Sequence, residues 1–154
     1  MRITLVCVGK LKERHWREAA EEYRKRLTPY ARLDVIEVAD RDVSADEQRA
    51  LSAEAADVLR AIPDGATVVT LEIGGRTRGS EEFAGWLDAM GVQGKSSVVF
   101  VLGGAAGLHA DILSRADERM SLGPMTLPHQ LARVVLLEQI YRAFRIMRGE
   151  PYHR

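Results

Sequence analysis

The sequence predicts an α/β fold, a mostly parallel sheet with helices on both faces, in a single domain spanning residues 1–154. Three observations predict it. Segments with the two-residue period of a strand alternate along the chain with segments of helical period. The run Val98-Val99-Phe100-Val101-Leu102 carries no polar residue, as expected of a strand covered on both faces. A chain of 154 residues is also long enough to bury about 68–70% of its unfolded surface without disulfide or metal.

The elements follow in order. Residues 2–8 alternate as a strand, and residues 15–27 then place Trp16, Ala20, Tyr23 and Leu27 on one helical face before Thr28-Pro29 stops the helix. A second strand, 33–38, leads to Ser44 and Glu47, the spacing of a capping box, and to a helix with Leu51, Ala55, Leu59 and Ile62 as its apolar stripe. The turn Pro63-Asp64-Gly65 precedes a third strand at 67–73. Ser80, with Glu81 and Glu82, caps a helix carrying Phe83, Trp86, Leu87 and Met90. After the apolar strand and a glycine loop come a short helix at 111–115, a brief strand at 120–122 and a loop with two prolines. A long helix then runs from Gln130 to about Met147. The polar, acidic stretch 39–46 reads as a mobile surface connection.

Composition excludes several function classes. The single cysteine, Cys7, lies in an apolar alternating run and reads as a core residue. No His, Cys and acid cluster has metal-ligand spacing, so no metal is expected. The N-terminal apolar stretch is too short for a signal peptide, and no run approaches the roughly 18 residues of a membrane span, so a cytoplasmic protein is expected. Twenty-two basic and 22 acidic residues cancel. Their distribution is uneven: nine acids stand against three arginines between Asp34 and Asp64, whereas Arg133, Arg142, Arg145, Arg148 and Arg154 outnumber Glu138 and Glu150 near the end. A polyanionic partner would therefore meet the C-terminal end.

The strongest local signal is Leu102-Gly103-Gly104-Ala105-Ala106-Gly107-Leu108, where the buried strand opens into glycines. Ligands of open α/β sheets bind beyond the carboxyl ends of strands, although a tight strand-to-helix turn would also use such residues. The spacing is neither the dinucleotide fingerprint nor a P-loop. Thr70-Leu71-Glu72-Ile73-Gly74-Gly75 is a second strand end opening into glycines, placed to lie beside the first; Glu72 reads there as a solvated strand end or a ribose ligand. The segment Ser121-Leu122-Gly123-Pro124-Met125-Thr126-Leu127-Pro128-His129 offers backbone groups and apolar side chains suited to an adenine, or simply to filling the core. Arg133 shares a helical face with Leu137, Ile140 and Phe144; it either pairs with a carboxylate at a subunit contact or points into the site beside His129. Glu138 and Arg142 are spaced for an i,i+4 salt bridge. His15 and His109 flank helices and read as surface residues. Tyr152, His153 and Arg154 close the chain with groups that stack on bases and pair with phosphate.

Taken together these motifs resemble the small RlmH-type ribosomal RNA methyltransferases of the SPOUT superfamily. The resemblance runs from Val8-Gly9-Lys10-Leu11-Lys12 to Pro151-Tyr152-His153-Arg154. It is most specific in Val69-Thr70-Leu71-Glu72-Ile73, the glycine loop, Met125-Thr126-Leu127-Pro128-His129-Gln130 and Arg133-Val134-Val135-Leu136-Leu137-Glu138-Gln139-Ile140-Tyr141-Arg142-Ala143. It implies S-adenosylmethionine as cofactor, methylation at N3 of a pseudouridine in large-subunit ribosomal RNA on assembled ribosomes, and a C-terminal trefoil knot. It also implies a homodimer in which the tail of one subunit reaches the cofactor of the other. Cofactor contacts carry over to Leu71, Gly103, Leu122, Gly123, Pro124, Met125, Thr126 and Leu127. His129 and His153 are then candidate bases, Arg133 and Arg154 candidate stabilisers of developing charge, and Tyr152 a stacking platform. This chain has Ala105-Ala106 where the family usually has a polar or proline pair, which leaves that loop its backbone amides. Two other classes compete: a non-catalytic, ribosome-associated RNA-binding module of the same fold, and a dinucleotide-dependent oxidoreductase.

Overall fold

A computed structural model describes residues 1–152. Five strands, β1 (Arg2–Val8), β2 (Arg32–Val38), β3 (Thr67–Thr77), β4 (Ser97–Leu102) and β5 (Glu118–Ser121), form one sheet in the order β2-β1-β4-β3-β5. Every neighbouring pair is parallel. Helices α1 (Arg14–Leu27), α2 (Glu47–Ala61), α3 (Ser80–Val92), α4 (Ala110–Arg115) and α5 (His129–Met147) supply the crossovers and the C-terminal layer.

Alternation along the strands divides the core in two. Ile3, Leu5, Val69, Val98, Phe100 and Leu102 face a layer that takes Leu27 from α1, Leu87 from α3 and Leu136, Leu137 and Ile140 from α5. Val6, Val8, Val68, Val99 and Val101 face Ala55 and Val58 of α2 and Ile112 of α4. β4 lies between β1 and β3 and is buried on both faces, which explains its lack of polar residues.

Several boundaries differ from the sequence reading. α2 is capped by Asp46, whose carboxylate accepts the Arg49 N–H at 3.0 Å, while Ser44 turns back to Asp42. A carboxylate at this position also gains from the helix dipole, an advantage that a hydroxyl lacks. On α2, Leu51 and Ala55 are buried as expected, while Val58 is buried in place of Leu59, which is half-buried. Ser80 is the first residue of α3; Gly79 is its cap, and the Ser80 hydroxyl donates to Gln139 Oε1 at 2.7 Å. β3 does not end at Ile73. It runs to Thr77, with both Leu71 and Arg76 in register with Met120, so residues 72–75 arch out of the ladder. Gly75 permits this: a Cβ there would lie 2.5 Å from the Met120 carbonyl carbon.

Candidate active site

The middle of β3, the carboxyl end of β4 and the segment after β5 enclose a cavity of about 830 Å³, within the roughly 300–1,000 Å³ typical of small-molecule sites. Three segments build it: residues 71–73 of the arch, the loop 102–108, and the stretch 121–129 that enters α5.

Each segment is held by local chemistry. The loop after β4 closes on itself through the Gly107 N–H, which donates to the Gly104 carbonyl at 3.1 Å. Gly107 has φ +82°, and a Cβ on Gly103 would stand 2.7 Å from the Gly107 carbonyl oxygen. Two of the three glycines thus serve the turn itself, and the loop still forms one wall of the cavity. After β5, the Ser121 hydroxyl donates to the Gly123 carbonyl at 2.9 Å and accepts the Gly123 N–H at 3.1 Å, fixing a residue with φ +132°. Met125 and Ile73, 81% and 59% exposed, stand among the lining residues as open apolar surface beside a polar backbone.

The charge of the wall is distinctive. Among the described residues no Lys or Arg lines it; Glu72 is its one carboxylate, with Arg119 at 3.6 Å, and His129 is its one imidazole. Such a wall is poorly suited to a polyphosphate and compatible with a positively charged ligand.

The structure therefore brings together most of the residues singled out by sequence. Leu71, Gly103, Leu122, Gly123, Met125, Thr126, Leu127 and His129 all line the cavity, while Pro124 is exposed and is not among the lining residues. Arg133 does not line it. Its guanidinium is buried, donating to Glu37 Oε2 at 2.8 Å and to the Gly9 carbonyl at 2.9 Å. The carboxylate partner expected at a subunit contact thus lies within the same chain, and the cation is occupied in tying the loop after β1 to α5.

Tyr152 also stands apart from this chain's own cavity. Its hydroxyl donates to Glu138 Oε1 at 3.1 Å, its ring meets Tyr141 edge-on at 4.9 Å, and the Arg142 guanidinium lies 4.7 Å from its centroid. Burial, then the Glu138 charge, pushes its phenol up to about 12. His153 and Arg154 lie outside the described residues.

Sequence reasoning passed over Ile73, Ser121 and Ala132 as individual wall residues and left Glu72 aside. Gly74-Gly75 was the available signal, because glycines within a strand mark a bulge that turns neighbouring side chains out of the ladder. Other local expectations hold: Glu138 and Arg142 pair at 2.6 Å, and His15 is exposed. His109 has a structural task, its Nδ1 accepting the Asp111 N–H at the start of α4.

Over residues 1–153 the chain matches the family described as "Predicted SPOUT methyltransferase", and it belongs to that family. It is 46% identical to the "Ribosomal RNA large subunit methyltransferase H" of Alkaliphilus oremlandii and 48% identical to the protein of that name in Listeria monocytogenes, with the whole of each chain covered. The corresponding Clostridium kluyveri protein is 47% identical over the same span. Among solved structures, a probable methyltransferase from Bordetella pertussis superposes with a TM-score of 0.60 at 18% identity, covering 93% of this chain and 96% of that one. A methylase family protein from Neisseria gonorrhoeae gives 0.52 at 17% identity, covering 91% and 80%. These two likenesses show a shared fold.

Proposed function

We propose that this protein transfers a methyl group from S-adenosylmethionine to N3 of a pseudouridine in large-subunit ribosomal RNA. In this reading it acts on assembled ribosomes in the cytoplasm as a homodimer, and its C-terminal segment follows the knotted path of its family. The observation that carries the chemistry is a glycine-walled cavity at the strand ends without any Lys or Arg in its described lining. The near-half identity to whole chains named for ribosomal RNA large subunit methylation carries the substrate class.

The residues present fit the cofactor. Leu71, Gly103 and the lining residues Leu122, Gly123, Met125, Thr126 and Leu127 would hold it, through backbone groups of this run and the apolar surface of Leu71, Leu122 and Leu127, with Pro124 shaping the turn outside the lining. When bound, S-adenosylmethionine supplies a methyl group on a positively charged sulfur. Glu72 is balanced by Arg119 at 3.6 Å, so a cationic sulfur would meet no unpaired cation among the described lining residues. His129, at the first turn of α5, is the imidazole placed to take the proton that the target nitrogen gives up. Arg154 meets charge developing on the carbonyls flanking that nitrogen. Tyr152 is the stacking surface, and His153 a second proton acceptor. Arg133 acts by holding the loop after β1 rather than by touching the reacting atoms.

A dimer is supported by the position of Tyr152, which contacts Glu138, nine residues along α5 from this chain's own His129, or about 13 Å along the helix axis, and which does not line this chain's cavity. In this reading Tyr152 serves a partner subunit's cavity.

Transfer of radiolabelled methyl from S-adenosylmethionine to ribosomes, and separately to free ribosomal RNA, tests the proposal, with both substrates from cells lacking the protein. Label confined to one large-subunit pseudouridine is expected, with ribosomes preferred. Binding of the cofactor without labelling of either substrate would overturn it in favour of a binding module.

A further inference from the structure

We infer that Tyr30, Arg145 and Glu150 form a clamp that positions the C-terminal tail for methyl transfer, an inference that rests on the reading of His153 and Arg154 as participants in the reaction.

Chain ends are usually the loosest part of a domain. Here residues 149–152 are held at each step. Gly149, with φ +63°, reverses the chain after α5; its N–H donates to the Ile146 carbonyl at 3.0 Å, and the Glu150 N–H donates to the Arg145 carbonyl at 2.9 Å. Those two bonds complete a Schellman motif and are all that ending the helix requires.

The remaining contacts exceed that need. Glu150 Oε2 accepts from the Tyr30 hydroxyl, 120 residues away in sequence, and lies 3.0 Å from Arg145. Arg145 also donates to the Tyr30 oxygen at 3.1 Å and to the Pro151 carbonyl at 3.3 Å. Tyr30 is itself a rigid post. Its ring meets Tyr141 edge-on at 5.9 Å and Phe144 at 6.0 Å, and the Arg148 guanidinium lies 4.4 Å from its centroid while donating to the Pro29 carbonyl.

The consequence is directional. A post in the connection between α1 and β2 fixes the Glu150 carboxylate, Arg145 fixes the next carbonyl, and Glu138 fixes Tyr152. The chain therefore leaves Tyr152 from a set point along a set line, where an untethered segment would sample far more placements. None of the three clamp residues touches the cavity, so all act as positioning residues.

Tyr30→Phe removes one hydroxyl and leaves the ring packing intact. In the full-length protein, single-turnover methylation of ribosomes should fall about tenfold, as expected when one hydrogen bond to a charged group is lost from the positioning apparatus. Affinity for S-adenosylmethionine should be unchanged. Glu150→Gln should act in the same direction. The decisive comparison repeats Tyr30→Phe in a protein already carrying both His153→Ala and Arg154→Ala, where no further loss is expected. An equal loss in both backgrounds, or no loss in either, overturns the clamp. If Arg154→Ala and His153→Ala together leave the rate at the parental level, the tail takes no part in the reaction; that outcome removes the inference through its premise and is read independently of any change at Tyr30.

Discussion

Replacing Arg133 by methionine separates a structural role from a catalytic one. The substitution keeps a long apolar stem and removes two hydrogen bonds, one to Glu37 at 2.8 Å and one to the Gly9 carbonyl at 2.9 Å. Breaking one side of a buried ion pair costs about 3–5 kcal/mol. The Arg133 side chain is 5% exposed and that of Glu37 32%, so water partly recovers the orphaned carboxylate. About 2–3 kcal/mol is therefore the expected loss, after discounting that range for solvent screening. In a domain of this size that lowers the melting temperature by about 5–10 °C, a shift that circular dichroism resolves readily. Adding Glu37→Gln should restore part of it, because an uncompensated charge is then replaced by a neutral amide. Affinity for S-adenosylmethionine, measured by calorimetry below the transition, should stay within about threefold of the parent. A variant that melts with the parent and has lost methyl transfer would refute the reasoning and return Arg133 to the reacting centre.

Other expectations follow from the same geometry. Gly103→Ala places a Cβ 2.7 Å from the Gly107 carbonyl oxygen; at about 1–3 kcal/mol for such overpacking, cofactor affinity should fall about tenfold by calorimetry, and an unchanged affinity would contradict the tight loop. Cys7 is buried, and burial pushes its thiol up to about 12, so Ellman's reagent at pH 8 should leave it unmodified in the native protein and label it in urea. The Tyr152 phenol, raised by burial and then by Glu138 to about 12, should show no phenolate absorbance at neutral to mildly alkaline pH. Its folded value lies above the unfolded value of about 10, so its contribution to stability is present below about pH 10 and is lost as pH rises towards 12. Glu138→Gln should lower that titration in a difference spectrum, and an unaltered curve would remove Glu138 as a cause.

Much of the site was legible because its segments are local. Val98–Leu102 announces a doubly covered strand through composition alone, and the glycines after it mark a strand end where backbone is exposed to a ligand. The apolar residues of 122–127 sit in a stretch with neither helical nor strand period, and they prove to be cavity wall. Helix starts were less legible. Ser44 and Asp46 both offer a capping oxygen two residues apart, and the geometry of the preceding turn chose Asp46.

What the sequence determined by itself is the order and type of the elements, to within a few residues at their ends, and which loops carry backbone suited to a ligand. Those properties depend on side chains a few positions apart, and periodicity records them. The tertiary structure alone decided that β4 inserts between β1 and β3, and that residues 72–75 arch out of the β3–β5 ladder where Gly75 lets Met120 approach. It alone matched Arg133 to Glu37 and Glu150 to Tyr30, pairs separated by 96 and 120 residues. An arginine on an apolar stripe announces its need for a partner, since an unpaired buried charge is too costly to persist. Which carboxylate answers that need depends on how the whole sheet brings distant segments to one edge, and no local pattern contains that information.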